Sequence, residues 1–176
     1  GASGDTITIP SGATITNSGT ATGFGKILQV VQTSKTDTFT TTATIATDIT
    51  GYSAAITPAT TSSKILVLVN LMSSSATASI TGAHLLVRDS TVIAGGDAAS
   101  SRALGFCSVG PWNGTWNGIN GSGMYVDSPA TTSETTYKIQ VIKEASTYYL
   151  NRTGRDSDDA WHCRSASTII LMEIGA

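Results

Sequence analysis

The sequence predicts an all-β protein, an antiparallel β-sandwich of jelly-roll type, and three observations carry that expectation. Short runs of β-branched and aromatic residues recur with turn signals at the sandwich spacing of roughly 8–12 residues. No window of helical length carries a capped stripe of period 3.6. The run Lys64-Ile65-Leu66-Val67-Leu68-Val69-Asn70-Leu71 is apolar on both of its alternating faces. Helices cover such a strand in α/β proteins, and this chain shows almost no helix signal. Side chains alternate across a strand, so Ile65, Val67 and Val69 face one way and Leu66, Leu68 and Met72 the other. One face meets the second sheet. The other needs a further layer or another copy of the chain. The run Thr168-Ile169-Ile170-Leu171-Met172-Glu173-Ile174 repeats the pattern. Leu66, Leu68, Ile170 and Met172 are therefore the candidate oligomer-interface residues.

Along the chain, Thr6-Ile7-Thr8-Ile9-Pro10-Ser11-Gly12 and Thr14-Ile15-Thr16-Asn17-Ser18-Gly19 form two near-repeats, each a period-two run closed by a glycine turn. A rung of a β-solenoid, the end of a trimeric β-prism and a plain hairpin all satisfy that pattern. Two rungs alone bury no core, so residues 1–25 read as a shaft end and joint. Residues 26–176 read as the sandwich itself. Strands are expected at 27–33, 37–42, 43–49, 52–57, 64–72, 83–88, 91–94, 102–109, 123–126, 136–144, 147–151 and 167–174. Turns fall between them, among others at Thr50-Gly51, Asp89-Ser90, Gly95-Gly96 and Ser128-Pro129. Tyr137, Ile139 and Val141 alternate with Lys138 and Gln140, as in a half-buried antiparallel strand.

The totals restrict the function. At 176 residues the chain buries one good core. Charged residues make up 12% of it, about half the usual share of roughly 25%. The net charge is -2 and Lys and Arg are nowhere clustered, which argues against a nucleic-acid footprint. No apolar run approaches the roughly 18 residues of a membrane span, and no signal peptide is recognisable, so membrane insertion is not expected. The chain opens on Gly1 rather than Met, as a fragment or processed product would. Cys107 and Cys163 are too few for a disulfide framework. They pair if their strands are neighbours, but two small buried side chains are the plainer expectation.

The catalytic inventory is thin. His84 and His162 are the only histidines. His84, mid-strand beside Leu85 and Leu86, reads as a core or interface residue. His162 and Cys163 are adjacent, so on a strand they point to opposite faces and make no dyad. Asp156, Asp158 and Asp159 share one loop rather than facing across a cleft as a glycosidase requires. That loop lacks the fuller alternation of a calcium site. The expectation is a solvated acidic loop, partly neutralised by Arg152, Arg155 and Arg164. No metal, no cofactor and no enzymatic activity are expected.

Two loops suit binding. Gly110-Pro111-Trp112-Asn113-Gly114-Thr115-Trp116-Asn117-Gly118-Ile119-Asn120-Gly121 sets two tryptophans among glycines and amides. Indole faces cover the apolar C–H faces of sugars while amides reach their hydroxyls. Asn151-Arg152-Thr153-Gly154-Arg155-Asp156-Ser157-Asp158-Asp159-Ala160-Trp161-His162 mixes both charge signs with a third tryptophan. Long loops in compact β domains are usually functional or mobile. The candidate ligand-binding residues are Trp112, Asn113, Trp116, Asn117, Arg152, Arg155 and Trp161. The plainer alternative is that each tryptophan seals the sandwich or lies at a subunit interface. Sequons at Asn113, Asn120 and Asn151 matter only in a eukaryotic secretory route, which nothing else suggests.

Four stretches carry a family resemblance. They are Gly4-Asp5-Thr6-Ile7-Thr8-Ile9-Pro10-Ser11-Gly12-Ala13, Gly95-Gly96-Asp97-Ala98-Ala99-Ser100-Ser101-Arg102, Asp127-Ser128-Pro129-Ala130-Thr131-Thr132-Ser133 running into Thr136-Tyr137-Lys138, and the closing run 167–174. With the strands between them, the chain resembles fibre-type virion proteins of tailed bacteriophages, particularly those of marine and cyanobacterial hosts. The resemblance implies a homotrimer with a β-structured shaft and a globular tip, exposed on the virion. It further implies attachment to host surface glycans or outer-membrane components, with other virion proteins held through the N-terminal side. It assigns no binding residues. The alternative it leaves open is a structural role, as a head-fibre, decoration or tail-connecting subunit.

Overall fold

The computed structural model describes residues 26–109 and 116–175. The expected shaft end, residues 1–25, lies outside the described residues, and so do Trp112 and Asn113. The described residues form eleven strands and no helix: β1 Lys26–Lys35, β2 Phe39–Thr41, β3 Thr47–Ile56, β4 Lys64–Ser75, β5 Gly82–Arg88, β6 Thr91–Ile93, β7 Cys107–Val109, β8 Ile119–Asp127, β9 Thr135–Lys143, β10 Tyr148–Leu150 and β11 Ser167–Gly175. All pairings are antiparallel.

In the first sheet the long strands run in the order β1-β11-β4-β8. The short β10 takes over from β11 along β4, pairing Ser73–Ser75, and β2 continues outward from it. The second sheet runs β3-β9-β5, with β6 and β7 succeeding one another along the far edge of β5. With β6 and β7 counted as one edge and the short β2 and β10 set aside, eight strands stand four to a sheet, and the chain crosses repeatedly between them. That is the strand order of a jelly roll, and the all-β sandwich expected from the sequence is what the chain adopts.

Alternation decides what meets between the sheets. Ile65, Val67, Val69 and Leu71 of β4 pack with Ile169 and Leu171 of β11 against Tyr52, Ile56, Tyr137, Ile139 and Leu86 of the other sheet. Three tyrosines are wholly buried, and each hydroxyl has a partner, as burial of a polar tip requires. Tyr52 donates to the carbonyls of Asn70 and Thr168 at 2.8 and 3.0 Å. Tyr137 donates to Asp127 Oδ2 at 2.7 Å, and Arg88 holds both oxygens of that carboxylate at 2.8 and 2.9 Å. This network ties β5 and β9 of one sheet to β8 of the other. The third hydroxyl, on Tyr148, lies 2.8 Å from His84 Nε2. His84 is a core histidine, and burial pushes its pKa down to about 3.

Three expected boundaries are corrected. The strands expected at 43–49 and 52–57 are one strand, β3. Its ladder with β9 shifts register between Asp48 and Ser53, and Gly51 adopts φ 77° within the bulge. A bulge absorbs the turn signal without ending the strand. The strand expected at 102–109 shrinks to Cys107–Val109. Ahead of it the backbone turns on itself, Arg102 N–H donating to Ala99 and Gly105 N–H to Ala103. Conversely, 123–126 grows to Ile119–Asp127. Residues 119–121 read as the end of the first loop, which hid the start of that strand. Gly123 within it accommodates the Phe106 ring, since an added Cβ would come within 2.5 Å of it.

Candidate functional site

The two candidate binding loops both meet at one residue, Met72, near the end of β4. Gly118 lies so close that a Cβ there would stand 2.5 Å from Met72 Sδ, which fixes where the first loop enters β8. Ser165 Oγ, closing the second loop, donates to the same sulfur at 3.1 Å, and Asn151 N–H, opening it, donates to the Met72 carbonyl at 2.9 Å. Asn151 is buried in the left-handed region (φ 61°). Its Nδ2 donates to the carbonyls of Lys35 and Asp37, and its Oδ1 accepts from Ser167 Oγ at 2.6 Å. A side chain so enclosed is a structural pin, which removes Asn151 as a glycosylation site.

From that base the loops converge. The Arg155 guanidinium lies over the Trp116 ring, 4.0 Å from its centroid, and the His162 ring lies 5.4 Å from the same indole at a 38° tilt. Arg155 and His162 belong to one loop and Trp116 to the other. Asp159 organises the turn below them. Its Oδ1 accepts from the backbone N–H of Trp161 and of His162 at 2.9 and 3.1 Å and from His162 Nδ1 at 2.7 Å. The His162 contact, opposed by burial and helped by the two backbone N–H groups, holds the Asp159 carboxyl below its ordinary range. That turn buries His162 and throws the next side chain outward: Trp161 is 88% exposed, and Trp116 remains 57% exposed despite its two neighbours. Neither tryptophan seals the sandwich.

The remaining charges are sorted within the loop. Asp156 receives Arg164 at 2.7 Å and Arg152 at 3.4 Å. Arg152 also lies 4.2 Å over the Tyr149 ring and donates to the carbonyls of Thr153 and Gly154. Arg152 thus frames the loop. The expectation that all three arginines neutralise the acidic residues needs correction, because Arg155 is spent on an indole rather than a carboxylate.

Of the candidates, Trp116 and Arg155 come together, with the exposed Asn117 next to Trp116 in sequence, while the bare Trp161 precedes His162, the other neighbour of the Trp116 ring. His162 was not among them, although the spacing Asp159-Ala160-Trp161-His162, a side chain capping the N–H groups two and three residues on, was readable in the sequence. The structure also brings His84 Nδ1 to 3.7 Å from Cys107 Sγ. Burial pushes this thiol up to about 11 while it pushes the imidazole down, the reverse of an activated thiolate–imidazolium pair. Both cysteines are free, and Cys163 is exposed rather than buried.

A second candidate surface lies on the outward face of the first sheet. Cross-strand register sets Val30, Met172, Leu66 and Val126 in one row and Gln32, Ile170, Leu68 and Met124 in the next. All four interface candidates are therefore neighbours on one face. They are half-buried, while Met124, Val30 and Val126 around them are 74%, 56% and 51% exposed. A groove of about 350 Å³ runs over Leu68, Asn70, Met124, Thr168 and Ile170. Neither row contains a charge. No protein-family model matches the chain, and no curated protein matches it either.

Proposed function

We propose that this chain is the non-enzymatic tip of a tailed-bacteriophage virion fibre, a homotrimer that binds a host-surface saccharide and does not turn it over. The convergence of the loops carries the reading: Trp116 is braced by Arg155 and His162, and the bare indole of Trp161 stands next to His162. An exposed aromatic face held on a rigid β scaffold costs little entropy to use and covers the apolar side of a sugar ring. Such a shallow site binds weakly alone. Three copies about one axis raise its avidity through effective concentration.

The outward sheet face supports self-association as the source of those copies. Its two central rows are apolar apart from Gln32 and carry no charge, so symmetry-related copies set no like charges against each other. Tyr125 and Val126 on β8 are exposed beside Met124, at the edge of the sheet, and an apolar edge strand is a liability unless a partner covers it. The virion setting rests on the resemblance of the shaft-end and tip-turn sequences, and places the tip in the extracellular medium.

The test is the pair Trp116→Ala and Trp161→Ala in one chain, with native mass as the control. Loss of adsorption to host cells at unchanged mass is the expected result. Normal adsorption with failed incorporation into particles would instead establish a structural virion subunit.

A further inference from the structure

We infer that the saccharide taken by Trp116 and Trp161 is acidic, and that Arg155 grips the carboxylate of a uronic acid residue. The inference rests on the saccharide reading above and adds the chemical class of the ligand.

The loop from Asn151 to Arg164 carries three arginines and three aspartates, and the structure shows how they are used. Arg152 and Arg164 share Asp156. Asp159 accepts His162 Nδ1 and two backbone N–H groups, all on Oδ1. Asp158 is exposed and forms no ion pair among the described residues. Arg155 is likewise exposed, and among the described residues it pairs with no carboxylate. Its Nε donates to Ser157 Oγ at 2.8 Å, and its guanidinium carbon lies 4.0 Å from the centroid of the Trp116 ring.

Those two contacts orient the group. The indole holds the guanidinium over its face, and Ser157 takes the Nε edge. The Nη1/Nη2 edge is left as a two-donor fork. A planar fork of this kind matches a carboxylate with two parallel hydrogen bonds, which a lysine ammonium cannot do. Trp161, the residue before His162 in the same loop, adds a bare indole. A hexuronate carries both matching features on one ring, an apolar C–H face and a carboxylate at its rim. A neutral hexose would leave the fork to water. A sulfated sugar would supply charge without the planar two-oxygen match.

The experiment titrates the intact chain with short oligomers of galacturonate, glucuronate and mannuronate, with their methyl esters, and with a sulfated neutral oligomer of equal length. The expected result is that one uronate binds at least about tenfold more tightly than its ester, the low end for a charge-assisted hydrogen bond. Arg155→Gln should reduce that ratio to about twofold or less, and Trp161→Ala should weaken acid and ester alike. Equal binding of acid and ester, both lost in Trp161→Ala, would overturn the carboxylate assignment and leave the saccharide site standing. A sulfated oligomer that binds as tightly as the uronate would also overturn it, in favour of charge alone. If no oligomer of either kind binds, the saccharide reading falls and this inference with it.

Discussion

The two faces of the sheet built on β4 and β11 are made of nearly the same residues and do different work. The inner face sets Ile65, Val67, Val69, Leu71, Ile169 and Leu171 against a second sheet, and all are buried. The outer face sets Leu66, Leu68, Ile170 and Met172 in adjoining register, and these are only half-buried. A leucine contributes through the water-accessible area it loses, not through its identity. The inner residues have therefore already delivered their stabilisation within one chain. The outer ones still have area to lose, which is why identical residue types mark the core on one side and the proposed assembly surface on the other.

The strongest test of this contrast is truncation on the inner face. Leu171→Ala should cost about 2–5 kcal/mol, because a cavity is left where both sheets meet. A chemical-denaturation midpoint reads the loss, and a change below about 1 kcal/mol would mean that β11 packs loosely against the second sheet.

Glu173 sharpens the contrast, since it is a carboxylate at an inner-face position and fully buried. Burial acts to raise its pKa, but hydrogen bonds from Ser63, from Gln29 Nε2 at 2.6 Å and from Ala59 N–H at 2.7 Å outweigh that and hold it below its ordinary value of 4.5. Its folded pKa is thus depressed. The stability it contributes is complete above pH 4.5 and is lost as pH falls through the folded pKa. Glu173→Gln should cost about 1–3 kcal/mol at neutral pH, since it replaces a charge-assisted acceptor that faces donors. The same variant should flatten the acid limb of the stability curve below pH 4.5. An unchanged acid limb would assign that limb to other carboxylates.

On the outer face, Leu68→Asp should leave the β fold intact and reduce the native mass to the 18.0 kDa of one chain. Circular dichroism and sedimentation check the two halves of that statement. An unchanged oligomer would remove this face as the interface, and a native chain already at 18.0 kDa would remove self-association altogether.

The smallest effect on stability belongs to the loops. Trp161→Ala should shift unfolding by no more than about 0.5 kcal/mol, as exposed substitutions do, while weakening saccharide binding. A large destabilisation would show that Trp161 is covered in solution and belongs to an interface.

Much of this was readable without coordinates, for a physical reason. Strand alternation is a local property with a period of two, so Leu66, Leu68, Ile170 and Met172 separated from Ile65, Val67, Ile169 and Leu171 on sequence alone. Pairing is not local. Only register showed that β4 and β11 are neighbours, setting Met172 beside Leu66 and Ile170 beside Leu68, and that Val30, Met124 and Val126 widen the same patch. Local signals also misled where tertiary contacts used them differently. Gly51 makes a bulge rather than a turn, and Ile119-Asn120-Gly121 begin β8 rather than ending a loop.

The loops divide in the same way. Composition alone picked out Trp116, Arg155 and Trp161 as side chains suited to ligands. It could not show that segments some 40 residues apart meet over Met72, nor which arginine would be left without a carboxylate. Those outcomes depend on three-dimensional distances between groups far apart in the chain. The sequence determined the all-β class, the two-faced strands and the aromatic loops, because each is written in neighbouring residues. The tertiary structure alone decided which face is closed, which tryptophan stands free and that Arg155 lies on Trp116 rather than on an aspartate.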